Sequence, residues 1–205
     1  PGVQSVGTAT FDIAGRIKAG GKIQLIFVQD EDMPATPVVA FTAPGGMTVA
    51  AKTWDQTTKT LLVTTGGADI AAGATVTFTI QAVRSPSSVN AASTIAVTTY
   101  DTAVAAGNII DGATDLRADT IVAGALSGTT TFTLGTTTPG VQSQGTATFT
   151  IAGRIKTGGK IQLIFVQDEE MPATPVVAFT SPGAGETVNA KAWDQTTKTL
   201  LVTTG

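Results

Sequence analysis

Thr75-Val76-Thr77-Phe78-Thr79-Ile80 alternates a small polar residue with an apolar one at every step. A period of two places Val76, Phe78 and Ile80 on one face and the threonines on the other, the signature of a β-strand with one face on a core and one in water. The same alternation runs through residues 8–13, centred on Phe11, and residues 130–134, centred on Phe132. Residues 22–28 differ. Ile23, Leu25 and Phe27 fall on one face and Ile26 and Val28 on the other, so this segment reads as a central strand, covered on both sides. Further strands are predicted over residues 38–42, 48–54, 60–65, 94–100 and 119–123.

Turn chemistry separates these runs: Ala19-Gly20-Gly21, Pro44-Gly45-Gly46, Gly66-Gly67, Ala72-Gly73, Pro86-Ser87-Ser88 and Gly107-Asn108. Asp55-Gln56-Thr57-Thr58-Lys59 lies between two strands as a hairpin loop. No segment keeps an i, i+3, i+4, i+7 apolar pattern over three turns, and the Ala-rich residues 102–107 are too short for a stable helix alone. The expected fold class is all-β, with tandem immunoglobulin-like β-sandwich modules.

Residues 1–66 recur as 139–205. The offset is 138 up to Gly45 and becomes 139 after an insertion near Ala184, so that Trp54 matches Trp193. Eight substitutions separate the copies: Val6/Gln144, Asp12/Thr150, Ala19/Thr157, Asp32/Glu170, Ala43/Ser181, Met47/Glu186, Ala50/Asn189 and Thr53/Ala192. Phe11, Ile23, Leu25, Phe27, Phe41, Trp54, Leu61 and Val63 are repeated unchanged. Near-identity over such a period is the mark of a tandem array. The second copy covers half a period, so the native protein is expected to continue on either side of this chain. With the polar residues 107–117 read as a linker, residues 1–115 form one β-sandwich module lacking its opening strand. Residues 116–205 then begin the next module and leave it incomplete.

Composition narrows the function. Hydrophobic residues make up 42% of the 205, enough for a packed core. Charged residues make up 13%, against the roughly 25% usual for globular domains. Twelve Lys and Arg against 15 Asp and Glu give a net charge of −3, without the basic stripe that a nucleic acid backbone requires. The chain has no cysteine and no histidine. Disulfides, thiolate metal sites and Ser-His-Asp or Cys-His catalysis cannot be assembled from this alphabet. No apolar run reaches the length of a membrane-spanning helix.

Residues 17–22 (Ile-Lys-Ala-Gly-Gly-Lys), 70–80, 85–89, 91–101 and 127–140 carry a resemblance to repeat modules of very large secreted or surface-anchored proteins of algae and other microbes. They are also similar to Ig-like repeats of bacterial surface proteins. The resemblance implies an extracellular or cell-surface location and a scaffold or adhesive role, and it brings no catalytic residues.

Candidate sites are few. Asp30-Glu31-Asp32, repeated as Asp168-Glu169-Glu170, offers carboxylates to a hard cation. Neighbours on a strand point to opposite faces, so a solvated loop is the simpler reading. Asp111, Asp115 and Asp119 lie in or beside the presumed linker and form a candidate interdomain calcium site. Asp111-Gly112 is equally a turn signal. The abundant threonines suit exposed strand faces and could carry O-glycans. Asn90, Asn108 and Asn189 lack the hydroxyl of an N-glycan sequon. Trp54 and Trp193 each precede an Asp at a hairpin; a surface Trp would stack on sugars, whereas a sandwich Trp is ordinarily core. The sequence therefore leads to a non-enzymatic structural repeat module of an extracellular filament, stalk or surface fibre. Its partners would be copies of itself or adjacent repeats. The alternative is an adhesive or carbohydrate-binding module that takes surface glycans.

Overall fold

The computed structural model describes residues 2–166, 170–180 and 186–205. Within these the protein is built of antiparallel sheets, with a single 3₁₀ turn at Ala106–Asn108 and no α-helix. The chain divides into two compact units, Pro1–Gly153 and Arg154–Gly205.

The first unit contains β1 (Gln4–Asp12), β2 (Lys22–Phe27), β3 (Val39–Ala43), β4 (Met47–Asp55), β5 (Thr60–Gly67), β6 (Thr75–Arg84), β7 (Thr94–Tyr100), β8 (Ile109–Arg117), β9 (Ser127–Leu134) and β10 (Gly145–Thr150). One sheet has the order β1-β6-β3 and another the order β4-β5-β2-β7-β8, while β9 and β10 form a two-stranded ribbon. The alternating residues of β6 explain the layering. Val76, Phe78 and Ile80 are buried together with Ala9 and Phe11 of β1 and Val39 of β3. They pack in one core with Ile23, Leu25 and Phe27 of β2, Leu61 and Val63 of β5, and Val97 of β7. Phe11 and Phe41 each meet Phe78 edge to face, with ring centroids 6.2 and 5.5 Å apart. Two sheets sharing one apolar interior are consistent with a β-sandwich. Each fully buried aliphatic or aromatic side chain contributes about 1.5–3 kcal/mol through removal from water.

β2 is the central strand that its two apolar faces predict, paired with β5 on one edge and β7 on the other. Residues 107–117, expected as a linker, are different. Ile109–Arg117 is β8 and pairs with β7 from Thr94↔Arg117 to Tyr100↔Ile109. Ile110 and Leu116 pack against the core, and this burial outweighs the turn signal of Asp111-Gly112. The strand expected over residues 119–123 is reduced to one bridge, Ile121↔Asn90.

The second unit holds β11 (Lys160–Ile164), β12 (Val188–Asp194) and β13 (Thr199–Thr204), in the order β11-β13-β12. Lys160↔Thr203 through Ile164↔Thr199 has the register of Lys22↔Thr64 through Ile26↔Thr60. Local devices also recur. Thr65 Oγ1 donates to the carbonyl of Lys18 at 2.9 Å, and Thr204 Oγ1 to that of Lys156 at 2.7 Å. Both hold a Gly-Gly turn whose first glycine has φ of +90° (Gly20) or +80° (Gly158), a conformation that side chains oppose. A Cβ on Gly21 would lie 2.6 Å from Ile17 Cγ2.

Candidate functional site

The acid loop after β2 is built around one buried carboxylate. Asp30 is exposed and Asp32 half-buried, but Glu31 is only 7% exposed, so the solvated-loop reading fails at its middle residue. The chain is pinned here from two sides. Asp32 N and Arg84 N each donate to the other's carbonyl, at 3.1 and 2.8 Å. Lys59 Nζ donates to Asp30 Oδ1 and to the Glu31 carbonyl, both at 3.0 Å. Burial pushes the Glu31 carboxyl above its ordinary value, opposed by its own backbone N–H, the Lys59 charge and the Gln29 N–H. Glu31 Oε2 has no hydrogen-bond partner, and neither do the buried Gln29 Oε1 and Ser93 Oγ. Of the second copy, Asp168 and Glu169 lie outside the described residues.

Above this loop stands the β4–β5 hairpin. Asp55 Oδ1 accepts from the backbone N–H groups of Thr57 (2.8 Å) and Thr58 (3.3 Å), an Asx turn that selects the loop geometry. These bonds, first that from Thr57, hold the Asp55 carboxyl below its ordinary value. Trp54 is buried, meets Phe27 edge to face at 5.4 Å and donates from Nε1 to Gln56 Oε1 at 2.6 Å. Trp193 repeats this with Phe165 at 5.6 Å and Gln195 at 2.6 Å. Both rings are thus core residues, with no face presented for stacking on a sugar.

The three aspartates expected to bind calcium have separate positions. Asp111 is the centre of a hydrogen-bonded clamp. Its Oδ1 accepts from Ala14 N and Gly15 N, each at 3.0 Å, and its Oδ2 from Thr99 Oγ1 at 2.7 Å. Asp115 lies further along β8, opposite Ala96, and Asp119 follows the strand. No group of three or more acidic side chains among the described residues is arranged to hold a metal ion. The Asp111 clamp has no signal in sequence beyond the Asp-Gly pair, because its two backbone donors, Ala14 N and Gly15 N, are about a hundred residues away.

The remaining feature is a sheet edge. Phe27 N donates to the Lys59 carbonyl at 2.9 Å, and Phe165 N to the Lys198 carbonyl at 2.9 Å. Odd-numbered residues of β2 and β11 therefore face β5 and β13, and Lys22, Gln24 and Ile26 bond to β7. Their counterparts Lys160, Gln162 and Ile164 face an edge that no strand among the described residues occupies. The exposure of Ile26, 37%, rises to 66% at Ile164. Ile23 and Leu25 are fully buried, whereas Ile161 and Leu163 are only partly so.

Comparison with protein-family models, with curated proteins and with solved structures finds no match to this chain. No helix among the described residues is long and apolar enough to cross a membrane.

Proposed function

We propose that this chain is a structural repeat module of an extracellular filament, stalk or cell-surface fibre, in which modules associate with copies of themselves. The observation that carries this reading is the reuse of one residue set. β11, β13 and β12 repeat β2, β5 and β4 in sequence and in register. Among the described residues no group of three or more acidic side chains is arranged to hold a metal ion. A near-identical fold unit used twice supports a role in which number and spacing matter, as in solenoids and arrays.

The same comparison suggests the phase of the module. Ile13 exchanges backbone hydrogen bonds with Ala74 and Gly73 just before β6, so the backbone N–H and C=O groups of Thr8 and Thr10 point away from β6. Their repeats, Thr146 and Thr148, pair with β9. In phase, the module is a four-stranded sheet β9-β1-β6-β3 over the five-stranded β4-β5-β2-β7-β8, of immunoglobulin-like type. Electron microscopy of the native material tests the reading. The expected result is a fibre with a regular axial repeat of one module; discrete compact particles would overturn it.

A further inference from the structure

We propose that the buried side-chain oxygens of Gln29, Glu31 and Ser93 form a site for a hard cation of the calcium class, set where the chain leaving β2 meets the chain entering β7. A discrete native particle would hold this cation as well as a fibre would, so the site goes beyond the repeat-module reading.

Among the described residues, the side-chain oxygens buried without a hydrogen-bond partner are Gln29 Oε1, Glu31 Oε2 and Ser93 Oγ. They belong to one place. The Glu31 carboxyl accepts from the Gln29 N–H, and Gln29 Nε2 donates to the Ala91 carbonyl at 2.8 Å. The register of β2 against β7 runs through Ile26↔Ala96 and Phe27↔Ile95. Continued by two residues, it sets Gln29 across from Ser93, on the face that Phe27 and Ile95 turn to the core. The segment carrying Ser93 is fixed in turn from its far side. Asn90 and Ile121 exchange backbone hydrogen bonds at 3.1 and 2.8 Å, and Ala118 N donates to the Ser93 carbonyl at 2.8 Å.

The donor set names the ligand. An amide carbonyl, a carboxylate and a hydroxyl are the oxygen ligands of a hard cation. Glu31 is 7% exposed, and a carboxylate so deeply buried requires a counter-charge. Lys59 does not bring one into contact, because its Nζ donates to Asp30 Oδ1 and to the main-chain carbonyl of Glu31. A water molecule would bridge the oxygens but leave the charge in place. A proton on Glu31 would neutralise the charge and reach one of the other two oxygens at most. A cation meets all three together. With one carboxylate in the set, the dissociation constant is expected at roughly 10⁻⁴–10⁻³ M, the range of weak extracellular calcium modules.

Calcium chloride titrated into the full chain at neutral pH, followed by NMR, tests the site, with sodium chloride at matched ionic strength as the reference. The expected result is a saturable shift of the Gln29, Glu31 and Ser93 amides that sodium does not reproduce. At a calcium concentration ten times the dissociation constant, the folded-to-unfolded ratio rises about tenfold. Magnesium, which demands a tighter octahedron and keeps its water, binds more weakly. Glu31→Gln keeps the shape without the charge and abolishes the shifts, its own spectrum reporting whether the fold is retained. Ser93→Ala weakens binding several-fold and serves as the second variant should Glu31→Gln fail to fold. Asp30→Asn, in the exposed neighbour, retains the response. No saturable shift at these amides, a response that sodium matches, or full binding in Ser93→Ala overturns the proposal. Loss of binding in Asp30→Asn equal to that in Glu31→Gln would move the cation to the exposed acids and overturn it as well. A chain indifferent to calcium that gains stability only toward acid would make the partner of Glu31 a proton, with the same consequence.

Discussion

At the scale of single residues, the half-buried Asp111 and the buried Glu31 show two opposite treatments of a carboxylate. Asp111 is satisfied by three donors from β7 and from the turn after β1. Asp111→Ala leaves the hydroxyl proton of Thr99, a residue 1% exposed, without its acceptor, and frees the amides of Ala14 and Gly15. The expected loss is about 2–3 kcal/mol, read from urea denaturation, with Asp111→Asn milder because it keeps an acceptor. A loss under half a kilocalorie would show that the clamp is incidental. Glu31 is the strained case. Its carboxyl titrates above the ordinary 4.5, chiefly through desolvation, so the folded state holds that proton more tightly than the unfolded chain. Its contribution to stability is complete below the ordinary value and is lost as pH rises through the folded one. Glu31→Gln is therefore expected to raise the melting temperature at neutral pH and leave it nearly unchanged in acid. An equal shift at both pH values contradicts this.

At the scale of elements, strands whose burial is one-sided were legible from alternation, and β7 spans the predicted residues. β8 was not legible. Asp111, Gly112 and Asp115 fill positions where a strand signal needs apolar letters, and only Ile110 and Leu116 betray a buried face. Its reason to be a strand lies in a partner, β7, and in the distant amides that Asp111 bonds. The candidate site divides the same way. Sequence pointed to Asp30-Glu31-Asp32, but the burial of Glu31 depends on Lys59 and on the Arg84 backbone, which no local pattern reveals. Irregular pairing was equally hidden. β6 bulges where Gly7↔Ile80 passes to Ser5↔Val83, and Ala82 there adopts φ of +61°. An L-residue in this region costs roughly 1 kcal/mol relative to glycine. Ala82→Gly is expected to raise stability by about that amount, measured by denaturant midpoint, and a decrease would show that the methyl group packs usefully.

At the scale of the whole molecule, the two units are unequal. The first has a core drawn from two sheets, and the buried hydrophobic cluster of the second, among its described residues, is Trp193, Leu200 and Val202. Trp54→Ala should cost about 3–5 kcal/mol, the usual range for a filled core site, and Trp193→Ala distinctly less. Calorimetry is expected to show two transitions, the lower moved by Trp193→Ala and the upper by Trp54→Ala. A single transition shifted equally by both would mean that the units melt together.

The bare edge of β11 also describes a moment in the life of the first unit. β2, β4 and β5 lie within Lys22–Gly67, but β7 is not made until Tyr100. During synthesis, at roughly 5–20 residues per second, the chain spends seconds with β2 already zipped to β5 and its far side uncovered. The β4–β5 hairpin closes in microseconds, and once β2 has joined it this half-built sheet waits for its missing neighbour. In a polysome carrying an array, adjacent growing chains would display such edges at once, and the rate of elongation past residue 100 would set how many find the wrong companion.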